Sequence, residues 1–92
     1  MIQSFACNET EALFHGKPIR RFKNIEPVAR RKLLTLHLAV ELNNLCISPG
    51  NRLEALKGNR KGQQSIRIND QWRLCLTWQN SGAHNVEIVD YY

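Results

Sequence analysis

NRLEALKGNRKGQQSIRINDQWRLCLTW, residues 51–78, holds the clearest strand pattern of the chain and its densest patch of cation. From Gln64 the side chains alternate, with Ile66 and Ile68 on one side of a strand and Ser65 and Arg67 on the other. Trp72, Leu74, Leu76 and Trp78 then share a face opposite Arg73, Cys75 and Thr77. Two such runs joined by Asn69, Asp70 and Gln71 predict a β-hairpin, because Asn and Asp tolerate the positive φ of a short loop. A two-residue turn would pair Arg67 with Trp72 and set a cation on the tryptophan's buried side. A three-residue loop instead pairs Ile68 with Trp72, Ile66 with Leu74 and Arg67 with Arg73, and a slip of one residue would invert the whole apolar set. The register therefore puts two arginines directly opposite each other on the second face. Like charges so placed cost roughly 0.2–1 kcal/mol unless an anion lies between them, and a phosphate suits two guanidinium groups.

A chain of 92 residues fits one domain, residues 1–92, with a single modest core that buries about two-thirds of the surface of the unfolded chain. Hydrophobic residues at 42% and charged residues at 23% exclude a disordered chain. The formal charge of +5 and the pI near 9.5 favour an anionic partner: nucleic acid, an acidic membrane surface or an acidic protein. A merely solvated basic surface fits the same numbers. Cys7, Cys46 and Cys75 are widely spaced and form no CxxC pair, which argues for reduced core thiols over a disulfide framework or a zinc site. His15, His37 and His84 have no metal-ligand spacing, so no metal or other cofactor is expected. No apolar run approaches the ~20 residues of a membrane span, and Met1–Cys7 is too short and uncharged for a signal peptide. The cytoplasm is the expected compartment, with no membrane partner.

Around the hairpin, Met1 to Ala6 predicts a short first strand anchored by Ile2 and Phe5. Asn8 with Glu11 resembles a capping box opening a helix from Glu9 to His15, stopped by Gly16. KPIRRFK, 17–23, carries Lys17, Arg20, Arg21 and Lys23 without an acid, and Pro18 keeps it irregular. It is either a solvated connector or a contact strip for an RNA backbone or an acidic partner. A second helix is expected from about Asn24 to Leu45, with Glu26 and Pro27 in its first turn. It has two apolar stripes: Ala29, Leu33, Leu36 and Val40, and Leu34, Leu38, Leu42 and Leu45. A helix lying on a sheet needs one stripe, so the second must meet the first helix or a partner protein. His37 reads as a surface or boundary residue. Ser48, Pro49 and Gly50 break the helix.

The following loop, 51–62, holds Arg52, Lys57, Arg60 and Lys61 among Gly58 and Gly62, so its backbone can approach a ligand closely while its side chains supply charge. It lacks the spacing of a nucleotide-binding P-loop. Asn80, Ser81 and Gly82 turn the chain into a last strand, Asn85 to Val89, with Val86 and Ile88 inward and Glu87, Val89 and Tyr91 on the arginine side. The order strand, helix, helix, strand, strand, strand predicts an α+β domain: two helices on one face of a mainly antiparallel sheet, the other face open.

The sequence resembles the HigB toxins of bacterial type II toxin–antitoxin systems, a branch of the RelE/ParE superfamily. The resemblance runs through MIQSF at the start, NRLEALKGNRKGQQSIRINDQWRLCLTW in the middle and VEIVDYY at the end. It implies a compact microbial-ribonuclease-like fold and ribosome-dependent mRNA cleavage within the A-site codon. The partners implied are the ribosome and mRNA, and a HigA-type helix-turn-helix antitoxin through which alone operator DNA would be reached. RNA cleavage by the adjacent 2′-hydroxyl needs a base, cations on the developing phosphorane and an acid for the leaving 5′-oxygen. Lys57, Arg67 and Arg73 match family positions proposed to hold the phosphate. Asp90 matches a terminal acid, the candidate base, and Tyr91 an aromatic that can stack on a base or orient a proton donor. Equally, Asp90 can simply pair with Arg73, and Tyr91 can simply cover the sheet edge. Arg52, Arg60 and Lys61 are the expected RNA-binding residues. Either Arg73 or a tyrosine is the leaving-group acid.

HigB toxins commonly end in Asp-Tyr-His, whereas this chain ends in Asp90, Tyr91 and Tyr92. A phenol with a pKa of about 10 is a poor base at neutral pH compared with an imidazole of about 6.5, so a slow or variant reaction is expected. Glu54 and Ala55 also precede Leu56, Lys57 and Gly58 where the family commonly places a histidine. The competing functions are a non-enzymatic inhibitor, since the ParE branch poisons DNA gyrase, and an antitoxin-bound co-repressor.

Overall fold

The computed structural model describes residues 1–46 and 49–90. The hairpin forms in the expected register. Strand β2 (Gln64–Arg67) pairs antiparallel with β3 (Trp72–Gln79), setting Ile66 opposite Leu74 and Arg67 opposite Arg73. The backbone N–H groups of Ile68 and Asn69 both donate to the Trp72 carbonyl (3.0 and 3.2 Å). The Asn69 side-chain oxygen accepts from the N–H of Gln71 and Trp72 (2.8 and 2.7 Å), an Asx turn that fixes the loop from within.

Strand β4 (Gly82–Asp90) follows a tight turn in which Asn80 and Ser81 both have positive φ (50° and 61°). Gly82, expected in the turn, begins the strand. A Cβ there would lie 2.9 Å from Gln3 Cγ and 3.2 Å from the Met1 carbonyl, so the glycine lets the N-terminal segment cross. That segment runs parallel beside β4 but makes only isolated bridges, Ile2 to Ala83 and Phe5 to Val86, where a regular strand was expected. The left-handed Asn85 (φ 53°) breaks the pleat between them, and its N–H donates to Ser4 Oγ instead (2.9 Å). The remaining strand lies inside the stretch read as a loop. Glu54–Ala55, β1, pairs with β2 with Glu54 opposite Ser65, giving the sheet order β1-β2-β3-β4.

Helix α1 spans Asn8–Phe14. The expected capping box is absent: Cys7 is the N-cap, in extended backbone, and no side chain caps it. The start is set instead by Thr10, buried, whose Oγ1 accepts from the Ile88 N–H (3.0 Å) and ties the helix to β4. Gly16, at φ 91°, closes the helix. The connector expected to be irregular forms a 3₁₀ turn, Arg20–Ile25, because Phe22 and Ile25 bury there.

Helix α2 spans Glu26–Leu38, seven residues short of the expected end at Leu45, and Ala39 after it is extended. The side-chain oxygen of Asn44 accepts from the N–H of Val40 and Glu41 (3.0 and 2.8 Å), and that local alternative competes with a continued helix. Leu45 still reaches the core, from a separate 3₁₀ turn at Leu42–Cys46. Ser48, read as part of the helix break, lies outside the described residues. Ala29, Leu33 and Leu36 pack on Ile66, Leu74, Leu76, Val86 and Ile88 in one buried cluster. Of the second stripe, Leu34 (52% exposed) and Leu38 (68%) face outward while Leu42 and Leu45 pack on the core, and Val40 (71%), from the end of the first stripe, is exposed as well. His37 is a boundary residue: its Nδ1 accepts from the Ile2 N–H (3.2 Å). Among the described residues, no helix is long and apolar enough to cross a membrane.

Candidate active site

Strand parity sorts the chemistry. The core side of the sheet takes Ile66, Leu74, Leu76, Val86 and Ile88. The other side takes two rows of paired residues, Arg67–Arg73–Val89 and Glu54–Ser65–Cys75–Glu87.

The second face is not fully open, which corrects the expected exposed sheet. Ser65 and Cys75 are completely buried, and Arg73 is 9% exposed. Arg73 Nε donates to Ser65 Oγ (2.8 Å), and its Nη2 donates to the Arg52 carbonyl (2.9 Å) and, more weakly, to the Ser65 carbonyl (3.5 Å). A buried guanidinium is tolerable only when its donors are satisfied in this way. Its partner at Arg52 has positive φ, 44°, a conformation that costs a non-glycine residue about 1 kcal/mol or more. Asn51 fixes the approach: its side chain is buried, donates to the Leu45 carbonyl (3.0 Å) and accepts from Lys32 Nζ. Arg60, from the far end of the loop, reaches over the face to Glu87 (3.0 Å) on β4 and to Gln63 (3.1 Å). Burial, helped by the charge of Glu87 and opposed by those of Arg60 and Arg73, pushes the Cys75 thiol above its ordinary value.

Arg73 and Arg60, expected to meet a ligand, thus use much of their donor capacity holding the loop to the sheet. Arg67 is turned to the hairpin loop, where Nη2 donates to Asp70 Oδ1 (2.5 Å). The guanidinium's hydrogen bond and then its charge hold the Asp70 carboxyl below the usual range. Arg52, Lys57 and Lys61 are exposed and form no ion pair within 4.0 Å among the described residues. Gly58 (φ 67°) and Gly62 (φ 94°) have open space where a Cβ would stand, leaving backbone accessible beside Lys57. Glu54, Ala55, Leu56, Lys57 and Arg60 line an open groove of about 410 Å³.

Asp90 pairs with Trp72 at the end of β4, which puts its Cβ on the core side, and it accepts from Gln71 Nε2 (3.0 Å). Two acids lie on the arginine side of the sheet: Glu87, paired with Arg60, and Glu54, which lines the groove. Lys32, an ordinary helix lysine in the sequence, also lies near this face. Burial, then the charges of Arg31 and Arg67, lowers its ammonium below the usual value, so α2 brings a cation close to Arg67. Tyr91 and Tyr92 lie outside the described residues.

Residues 8–92 match the HigB-like toxins, described as RelE-like toxin of type II toxin-antitoxin system HigB. Toxin HigB-1 of Vibrio cholerae serotype O1 is 47% identical over 62 residues, 67% of this chain and 65% of that protein. An uncharacterized protein of Haemophilus influenzae is 32% identical over 63 residues, 68% of this chain and 62% of that one. The matched stretches therefore span less than two-thirds of either relative. Among solved structures, the YoeB–YefM toxin–antitoxin heterotetramer from Staphylococcus aureus aligns at TM-score 0.63 and 18% identity, over 100% of this chain and 98% of that one. YafQ from E. coli strain BL21(DE3) aligns at 0.63 and 12%, over 99% and 94%. At such identities the likeness is one of fold.

Replacing Arg73 by Ala is expected to lower the unfolding free energy by about 2–4 kcal/mol, because Ser65 and the Arg52 carbonyl lose a charged partner in a buried place. Arg73→Lys should lose nearly as much, since an ammonium cannot bridge both from one plane. Urea unfolding measures both, and a loss under about 0.5 kcal/mol in either, the scale of an exposed pair, would mean the guanidinium is not built into the structure.

Proposed function

The chain belongs to the HigB-like toxins, RelE-like toxins of type II toxin–antitoxin systems, and we propose that it is an endoribonuclease that cleaves mRNA on the ribosome and so stops translation. The observation that carries this is the groove in which one carboxylate, Glu54, and the cations Lys57 and Arg60 converge, on the side of the sheet that also bears Arg67 and Arg73. An acid and several cations around one space supply what 2′-hydroxyl attack requires. Glu54 takes the proton of the hydroxyl, and Lys57 and Arg67 stabilise the charge that develops on the phosphorane. Arg52 and Lys61 bind the flanking RNA backbone. A gyrase-type inhibitor has no need of a carboxylate set among phosphate-binding cations.

Asp90 is the competing base and Tyr91 or Tyr92 the source of the leaving-group proton, assignments that rest on resemblance. The sidedness of β4 favours Glu54 over Asp90. The partner is a HigA-type antitoxin that covers Leu34, Leu38 and Val40, apolar side chains a lone domain leaves wet only at a cost.

Primer extension on transcripts after induced expression should reveal cuts inside translated codons. Glu54→Gln should reduce cutting about 100-fold or more and Asp90→Asn much less, with the fold intact by circular dichroism. Growth arrest with intact transcripts would replace the nuclease by a binding inhibitor, and the reverse order of the two variants would return the base to Asp90. Leu34→Glu with Leu38→Glu should abolish co-purification with the antitoxin encoded alongside; capture at the wild-type level would move the interface elsewhere.

A further inference from the structure

The like charges that the register sets opposite each other must be stabilised when no RNA is present. Arg73 solves this inside the protein, through Ser65 and the Arg52 carbonyl. Arg67 has no such partner on its strand. It is answered by Asp70, three residues on, in a loop whose shape Asn69 fixes independently by accepting from two backbone N–H groups. The other acids on this side are committed elsewhere or at a distance along the sheet: Glu87 holds Arg60, and Glu54 lies opposite Ser65 in the neighbouring row.

We propose that Asp70 is a resident counter-ion for Arg67, which keeps the guanidinium in place in the free protein and is exchanged for a phosphodiester of the RNA when substrate enters. This rests on reading the groove as an RNA site and adds the residue that sets its affinity threshold. The pair is built to open. The Asp70 side chain is 89% exposed and that of Arg67 30%, and solvated pairs of this kind hold weakly. A phosphate presents two oxygens to the planar fork and forms the stronger bond. Arg52 is close enough for its charge to act on Asp70, and Arg67 acts on Lys32, so a departing carboxylate leaves behind a cation cluster that attracts a polyanion. The carboxylate thereby discourages simple monoanions and admits a ligand that engages several cations together.

The test uses Asp70→Asn, which removes the charge and keeps a side chain that turns accept. Fluorescence anisotropy with a short 2′-O-methyl single-stranded RNA, which cannot be cleaved, reads affinity at low salt for wild type, Asp70→Asn, Arg67→Ala, the double variant and Glu41→Gln, a charge control on the exposed residue beyond α2. Asp70→Asn should bind about two- to five-fold tighter and Glu41→Gln should match wild type. Arg67→Ala should bind more weakly, and Asp70→Asn should add nothing in its background. Tightening that persists without Arg67, or that Glu41→Gln reproduces, would reduce the effect to net charge and overturn the counter-ion. Binding that depends on Arg67 but ignores Asp70 would overturn the counter-ion and leave the RNA site standing. No binding by any of the five would overturn both.

Discussion

A guanidinium inside a small protein is the constraint around which this one is arranged. Arg73 is nearly buried, and a cation taken out of water is tolerated only when fixed acceptors replace the solvent. One acceptor, Ser65, lies on the next strand. Another is the carbonyl of Arg52, which must adopt positive φ. The strain in the loop is thus explained by the charge in the sheet. The same bonds decide where the cationic stretch after Arg52 runs: along β2 as a two-residue strand, then over the face to Glu87 through Arg60.

This arrangement separates two kinds of cation that look alike in sequence. Arg73 and Arg60 tie the loop to the sheet, while Arg67, Lys57, Lys61 and Arg52 remain where a ligand can reach them. Preorganisation of that kind suits electrostatic catalysis, because charges already in place need little rearrangement when the reacting phosphate becomes more negative. In the proposed nuclease, Glu54 belongs to the same preformed set, held opposite Ser65 by the β1–β2 pairing. The helices lie on the opposite side of the sheet, so a partner on Leu34 and Leu38 need not enter the groove.

The parts of the fold legible in the sequence are those where a period met a burial requirement. Alternation in β2 and β3 settled the register, since every other choice exposed isoleucines or buried Arg67. The same parity placed Val86 and Ile88 inward. By the same parity Asp90 falls on their side, four residues on from Val86 and two from Ile88, while its role as a base is implied by family resemblance alone. The end of α2 was not legible, because the leucines continue at helical spacing while the chain turns where Asn44 accepts from the Val40 and Glu41 N–H groups. Strand β1 is two residues long, too short for any pattern, so Glu54 stood out only as a departure from a familial histidine. Lys32 reads as an ordinary helix lysine, and its closeness to Arg67 depends on how the chain at Asn51 wraps beneath it.

The central claim is that the loop is held on the arginine face before any ligand arrives, and Cys75 reports on it directly. Its thiol sits fully buried on that face, between Arg73 and the Arg60–Glu87 strap, whereas Cys46 is exposed. A pulse of N-ethylmaleimide on the native protein, read by peptide mass spectrometry, gives the two alkylation rates. Cys46 is expected to react promptly while Cys75 stays protected until the protein unfolds. Equal rates at the two thiols would mean that the loop does not cover the sheet and that no preformed groove exists.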